Sequence, residues 1–201
     1  MPAQTRKKKP VREVPLSGLR PVATADDLFA LARRRFLAGE RLSLEELAAD
    51  LQVSRATVYR WAGNAELLAG RVIAGMVEDT FRRSLREANG TGAERIIDAT
   101  ARGLHYIATS APYQAFIRRD PEKALRIVAS KEAPVQSRTI ALNQGLIEEE
   151  VASGALTLPV DAHTMAYALV RIGESFLYAD VIAGEKPDLG KAVEILKLML
   201  R

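Results

Sequence analysis

Eight residues in one short stretch carry the densest group of side chains suited to touching a charged, hydrogen-bonding polymer. In Ser54-Arg55-Ala56-Thr57-Val58-Tyr59-Arg60-Trp61, two hydroxyls, two guanidiniums and a phenol sit among apolar residues. Ser54 and Thr57 are short hydroxyl groups at a helix start, where backbone N–H groups also favour phosphate. Arg55 and Arg60 suit either a phosphate or the O6/N7 edge of guanine. Tyr59 can give its hydroxyl to a phosphate, and Trp61 closes the segment. Ser43 lies eleven residues upstream of Ser54 as the candidate cap of a preceding helix and a further phosphate contact.

Two helices must hold these groups. Ser43 with Glu46 forms a capping-box pattern ahead of Leu44, Leu47, Ala48 and Leu51. Ser54 then opens a second short helix. Joined by three or four residues, the two must cross steeply, and Ala48 supplies the small side chain the crossing needs. Leu47, Leu51, Val53, Val58 and Trp61 complete an apolar wedge. This spacing matches a helix-turn-helix over residues 43–62, with the second helix placed to enter a major groove. The turn normally takes Gly because one residue has positive φ. That place falls on Gln52, at a cost of roughly 1 kcal/mol.

The rest of the chain is read as helical. The 201 residues are 48% apolar and only 5% aromatic, a composition that supports a helical core. Thr24, with Asp27 three residues on, caps a helix of about 25–38 stopped by Gly39, and Asn64 caps a long helix to about 88. Asn89-Gly90-Thr91-Gly92 breaks the pattern. Further helices are expected over 93–110, 112–119, 121–132, 135–153, 161–183 and 188–201, with Pro112, Pro121 and Pro134 at starts and Gly154 and Gly184 at stops. The fold class is all-α.

Charge is concentrated at one end. Residues 1–23 hold six Lys or Arg against Glu13, while the whole chain is only +4. With Pro2, Pro10, Pro15 and Pro21 they read as an extended basic arm. In it Lys7, Lys8 and Lys9 are candidates to follow a phosphate backbone or enter a minor groove. A solubilising terminus is the plain alternative.

Several chemistries are absent from the sequence. Without cysteine there is no thiol nucleophile, disulfide or sulfur-ligated zinc, and His105 and His163 lie too far apart for a local metal motif. There is no Gly-rich phosphate loop, and Glu148-Glu149-Glu150 reads as a solvated helix face. Neither an enzyme, a cofactor nor a metal is expected. No apolar run approaches the roughly 20 residues that cross a bilayer, and the basic start lacks the apolar segment of a secretory signal. The chain is therefore expected in the cytoplasm.

The residues also resemble a known family. Helix 24–38, the helix-turn-helix, Thr57-Val58-Tyr59-Arg60-Trp61, and Glu66-Leu67-Leu68 opening the long fourth helix are similar to the TetR family of one-component regulators. Tyr59-Arg60-Trp61-Ala62-Gly63 departs from the family's commoner pattern and is closer to its QsdR-type branch, linked to lactone signals. Arg171-Ile172-Gly173-Glu174-Ser175-Phe176-Leu177-Tyr178-Ala179-Asp180 resembles that branch too. The resemblance implies about nine or ten helices. A DNA-binding domain with its linking helix would span 24–88, and an effector-binding and dimerisation domain 93–201. It also implies a homodimer on a palindromic operator, repressing until a small effector binds.

Two further groups of residues follow. An apolar side marked by Leu169, Gly173, Phe176, Leu177, Val181, Leu196 and Leu200 is the candidate dimer face, with Gly173 permitting close helix approach. The same stripe would also serve a monomer core. Candidate liners of an effector pocket are His105, Tyr106, Tyr113, Phe116, Asn143, Gln144, Ile147, Tyr167, Arg171, Glu174 and Tyr178. A helical adaptor of the same fold without sequence-specific DNA binding is the rival function.

Overall fold

Capping chemistry sets the first helix boundaries in the computed structural model, which describes residues 23–129 and 134–201. Thr24 and Asp27 close a reciprocal capping box at α1 (Ala25–Leu37): the Thr24 hydroxyl accepts from the Asp27 N–H, and the Asp27 carboxylate accepts from the Thr24 N–H at 2.8 Å. The Ser43 hydroxyl accepts from the Glu46 N–H to start α2 (Leu44–Leu51). The expected box is only half formed here. The Glu46 carboxylate turns away to Arg35 of α1 at 2.6 Å, because Arg35 also takes Asp50 at 2.6 Å and so pins both ends of α2. Ser54 caps α3 (Arg55–Ala62), and Asn64 caps α4 (Ala65–Glu87).

These helices meet as the wedge requires. Leu47, Ala48 and Val58 are buried, with Leu51, Val53 and Trp61 half-buried around them. Gln52 has φ 56° and ψ 37°, a left-handed cap ending α2. Among the described residues it is the only non-glycine at positive φ. Arg71 of α4 locks the head from behind. It donates to the Trp61 carbonyl at the end of α3 and lies 4.0 Å over the Phe29 ring of α1.

At about 35 Å, α4 is long enough to leave this head and enter the body. There it meets α5 (Ala93–Thr109), α6 (Ala111–Arg119), α7 (Pro121–Ala129), α8 (Val135–Ala152), α9 (Ala162–Leu177), α10 (Ala179–Ala183) and α11 (Leu189–Met199). The chain among the described residues is all-helical. One apolar cluster runs without a break from Leu28 and Phe36 through Leu68 and Ile73 to Tyr113 and Leu177. A second, around Ile96, Ile147, Leu169 and Leu196, closes the far end.

Two expectations change. The helix expected over 161–183 breaks at Tyr178, where φ is −109° and ψ 21°. No Pro or Gly announces the break. The Tyr178 phenol is buried against the Tyr113 hydroxyl, and a separate short helix, α10, follows it. The acidic run 148–150 is not uniformly solvated. Glu150 is buried, accepting from the Gly92 N–H at 2.7 Å and from Arg95. Residues 130–132 of the helix expected over 121–132 lie outside the described residues. No helix among the described residues is long and apolar enough to cross a membrane, and none of their acidic or histidine side chains cluster as a metal site.

Candidate functional site

The first site is the outward side of α3. Val58 and Ala62 point into the head, so the 3.6-residue period turns Arg55, Ala56, Tyr59 and Arg60 to solvent. Tyr59 is 47% exposed, an unusual setting for a ring that size, and its hydroxyl reaches Glu45 of α2 at only 3.4 Å. Neither Arg55 nor Arg60 makes a close salt bridge among the described residues, although Arg55 is near enough to Glu45 to help lower its carboxyl. Ser54 and Thr57 are partly engaged already. Their hydroxyls lie 2.9 Å apart, and the Ser54 oxygen accepts from the Thr57 N–H. Ser43 is likewise occupied as a cap and half-buried. Trp61 is half-buried against the head core. Lys7, Lys8 and Lys9 lie outside the described residues.

The second site is a partly open cavity of about 400 Å³ lined by α4, α5, α6, α8 and α9. Its walls are chiefly apolar, from Ile73, Met76, Val77 and Phe81 of α4 to Leu104, Ile107, Leu169 and Leu177. Five predicted liners reach it: Tyr106, Tyr113, Asn143, Glu174 and Tyr178. Deep in the cavity the Tyr113 and Tyr178 hydroxyls hydrogen-bond to each other, and burial pushes both phenols above their ordinary range. Glu174 is 17% exposed, with Oε2 accepting from Gln136 at 3.2 Å and Arg171 at 2.8 Å. Burial raises its carboxyl despite both partners. At the rim, Arg83 lies 4.1 Å over the Tyr106 ring and bonds Glu87, which also accepts from the Tyr106 hydroxyl.

The other predicted liners lie elsewhere. His105 is exposed, one helical step off the inward face of α5. Phe116 packs on Phe36 of α1, with ring centroids 5.4 Å apart. Gln144 bonds His163 and Glu148 on the outer surface, and Ile147 is buried in the far core cluster. Tyr167 is 49% exposed, and Arg171 reaches Glu174 from outside the cavity.

The candidate dimer stripe faces inward. Leu169, Gly173 and Leu177 line the cavity, and a Cβ on Gly173 would sit 3.1 Å from Leu104, so its close approach is to α5 of the same chain. Leu196 and Leu200 are buried in the far cluster, while Phe176 and Val181 pack on the first. A bundle of this size consumes its strongest apolar stripes internally. The cavity wall from α4 was missed in the sequence, although Ile73, Met76, Val77, Thr80 and Phe81 repeat at helical spacing beyond the head. That stripe is the signal that would have found it.

The two sites are joined. α6 runs from Tyr113 in the cavity to Phe116 on α1, and Arg119 at its end donates to the Gly39 carbonyl behind α1. On the opposite side, Lys123 and Arg126 of α7 bind Glu66 at the start of α4.

Known proteins share this fold. The family model of the tetracyclin repressor-like C-terminal domain matches residues 91–201. The structure of the transcriptional repressor QsdR of R. erythropolis, from the TetR family, is similar with a TM-score of 0.83 and 30% identity, over 88% of this chain and 93% of that one. The reduced form of E. coli NemR shares the fold, with a TM-score of 0.54 and 16% identity over 88% and 97% of the two chains. No curated protein sequence gives a match. A helix-turn-helix head continuous with a cavity-bearing helical body, a C-terminal domain matched by the family model and a close structural likeness to QsdR lead to one conclusion: the chain belongs to the TetR family of transcriptional regulators.

Proposed function

We propose that the chain is a transcriptional repressor that binds a palindromic operator as a homodimer and leaves it when a small amphipathic effector enters the cavity. The observation that carries this reading is the pairing of an outward Arg55–Tyr59–Arg60 face with a mostly apolar, partly open cavity on one unbroken core. Binding that reshapes the cavity then has a packed route to the head through α4 and α6. Repression is supported by the likeness to QsdR, a repressor. A lactone-type signal is the effector class that the branch resemblance supports. The domains we propose are a reading head ending within α4 and a sensing body from residue 93, with α4 serving both.

With the predicted stripe turned inward, we place the dimer contact on the outer sides of α8 and α9. There Ala141, Gly145 and Tyr167 face solvent beside the Gln144–His163 hydrogen bond. Two-fold symmetry would set one such face against its copy.

The test is selection of bound duplexes from a random DNA pool, followed by anisotropy at several salt concentrations. An inverted repeat should emerge. Arg55→Ala should lose about 1–3 kcal/mol of discrimination between the selected site and random DNA. Removal of residues 1–20 should weaken binding to all sequences and lower the salt slope. No enriched sequence, with binding equal on all DNA, would favour the adaptor reading. Sedimentation should give a dimer that Gly145→Arg dissociates.

A further inference from the structure

The hydrogen-bonding inventory of the cavity restricts what can fill it. Of its two charged liners, Arg83 stands at the rim, committed to the Tyr106 ring and to Glu87. The other, Glu174, presents an anion further in. Both bonds to Glu174 fall on Oε2, which leaves Oε1 without a protein partner among the described residues. Arg171 offsets the charge from outside but does not line the cavity.

The neutral groups lean the same way. The Asn143 NH₂ donates to the Thr139 carbonyl at 2.9 Å, which fixes the amide orientation and leaves its oxygen as an open acceptor. The Thr100 and Thr139 hydroxyls spend their protons on the carbonyls of Ile96 and Val135 in their own helices, at 2.7 Å and 2.8 Å. Each keeps only lone pairs for a ligand. Thr80 and Ser110 can serve either role. The Tyr113–Tyr178 pair holds two phenol protons and uses one between them, so a single donor remains there.

Resting on the reading of this cavity as the effector site, we infer that its effector carries a hydrogen-bond-donating head, an amide N–H, hydroxyl or ammonium, for Glu174 and Asn143, joined to an apolar tail, and that carboxylate- and phosphate-headed amphiphiles are excluded. An anion here would face the Glu174 carboxylate, and the one cation among the described liners, Arg83, is held at the rim by Glu87. An amide also supplies a carbonyl for the remaining phenol proton. In a lactone-type signal the donor is a substituent N–H or O–H, because the ring oxygens only accept.

The experiment is isothermal calorimetry on the full chain at about pH 8, where amine and carboxylate probes are both charged. The probes share one chain length: octanamide, octylamine and octanoate. Octanamide and octylamine should bind, with octanoate at least about tenfold weaker. Glu174→Gln keeps the side chain's shape, and a thermal melt checks its fold. It should weaken octylamine by about tenfold and octanamide by less. Octanoate binding as tightly as octanamide, or octylamine indifferent to Glu174→Gln in a folded variant, overturns the inference while the effector site stands. Binding by none of the three overturns the effector site and the inference with it.

Discussion

The rings of Phe36 in α1 and Phe116 in α6 meet with centroids 5.4 Å apart and planes 49° apart, joining the head to the helix that carries Tyr113 into the cavity. Tyr113 in turn stands 6.2 Å from Phe116. A displacement of Tyr113 by a ligand would therefore reach α1 through a single intervening ring. Tilted aromatic pairs contribute about 0.5–1.5 kcal/mol beyond area burial. A double-mutant cycle with Phe36→Leu and Phe116→Leu, read by urea unfolding, should return a coupling energy in that range. A coupling near zero would mean the contact carries nothing between head and body.

Glu150 and Arg95 make stability depend on acid. Burial alone would raise the Glu150 carboxyl, but Arg95 and the Gly92 N–H outweigh it and hold it below the usual carboxylate value. A depressed folded value means the stabilisation is present above the unfolded value of about 4.3 and is lost as pH falls through the folded one. Urea midpoints should thus drop on acidification below about pH 4.3, and Glu150→Gln should flatten that drop. Glu150→Ala leaves Arg95 only its Glu149 partner at 2.8 Å and leaves the Gly92 N–H unpaired, and should cost about 1–3 kcal/mol at neutral pH.

Gly92 holds the same junction through its backbone. Its φ is 58°, and an added Cβ would lie 2.2 Å from the Ala155 carbonyl oxygen. Gly92→Ala combines a left-handed penalty of about 1–2 kcal/mol with that clash against backbone, so it should destabilise by more than about 2 kcal/mol. Gly75→Ala within α4, where a Cβ meets nothing within 4 Å, should leave the melting temperature nearly unchanged or raise it. Equal melts for the two variants would contradict the packing at Ala155.

Gln52 carries the opposite expectation. It adopts φ 56° at the end of α2, where glycine is strain-free. Gln52→Gly should stabilise the head by up to about 1 kcal/mol, reduced by the extra freedom glycine gives the unfolded chain. A thermal melt showing a loss would mean the glutamine side chain contributes more than the backbone strain costs.

Local rules made the head legible. Caps at Thr24, Ser43, Ser54 and Asn64, the buried Ala48 and the left-handed Gln52 all depend on a few neighbouring residues, and all appear where spacing and side-chain chemistry placed them. The outward face of α3 follows from those same residues and the helical period. The body was legible only as a series of helices. Whether an apolar stripe meets its own chain, a cavity or a second copy depends on which helices lie beside it, and the stripe's spacing is the same in each case. Tertiary packing therefore moved Leu169, Gly173 and Leu177 from the expected dimer face to the cavity wall and brought α4 to the opposite wall. It sent Phe116 to Phe36 and turned Glu150 inward to Gly92, 58 positions away. The sequence by itself determined the head helices, their caps and the outward side of α3, because these are contacts within a few residues. Only the tertiary structure decided what the body encloses and how that enclosure reaches the head, because those contacts join residues far apart in the chain.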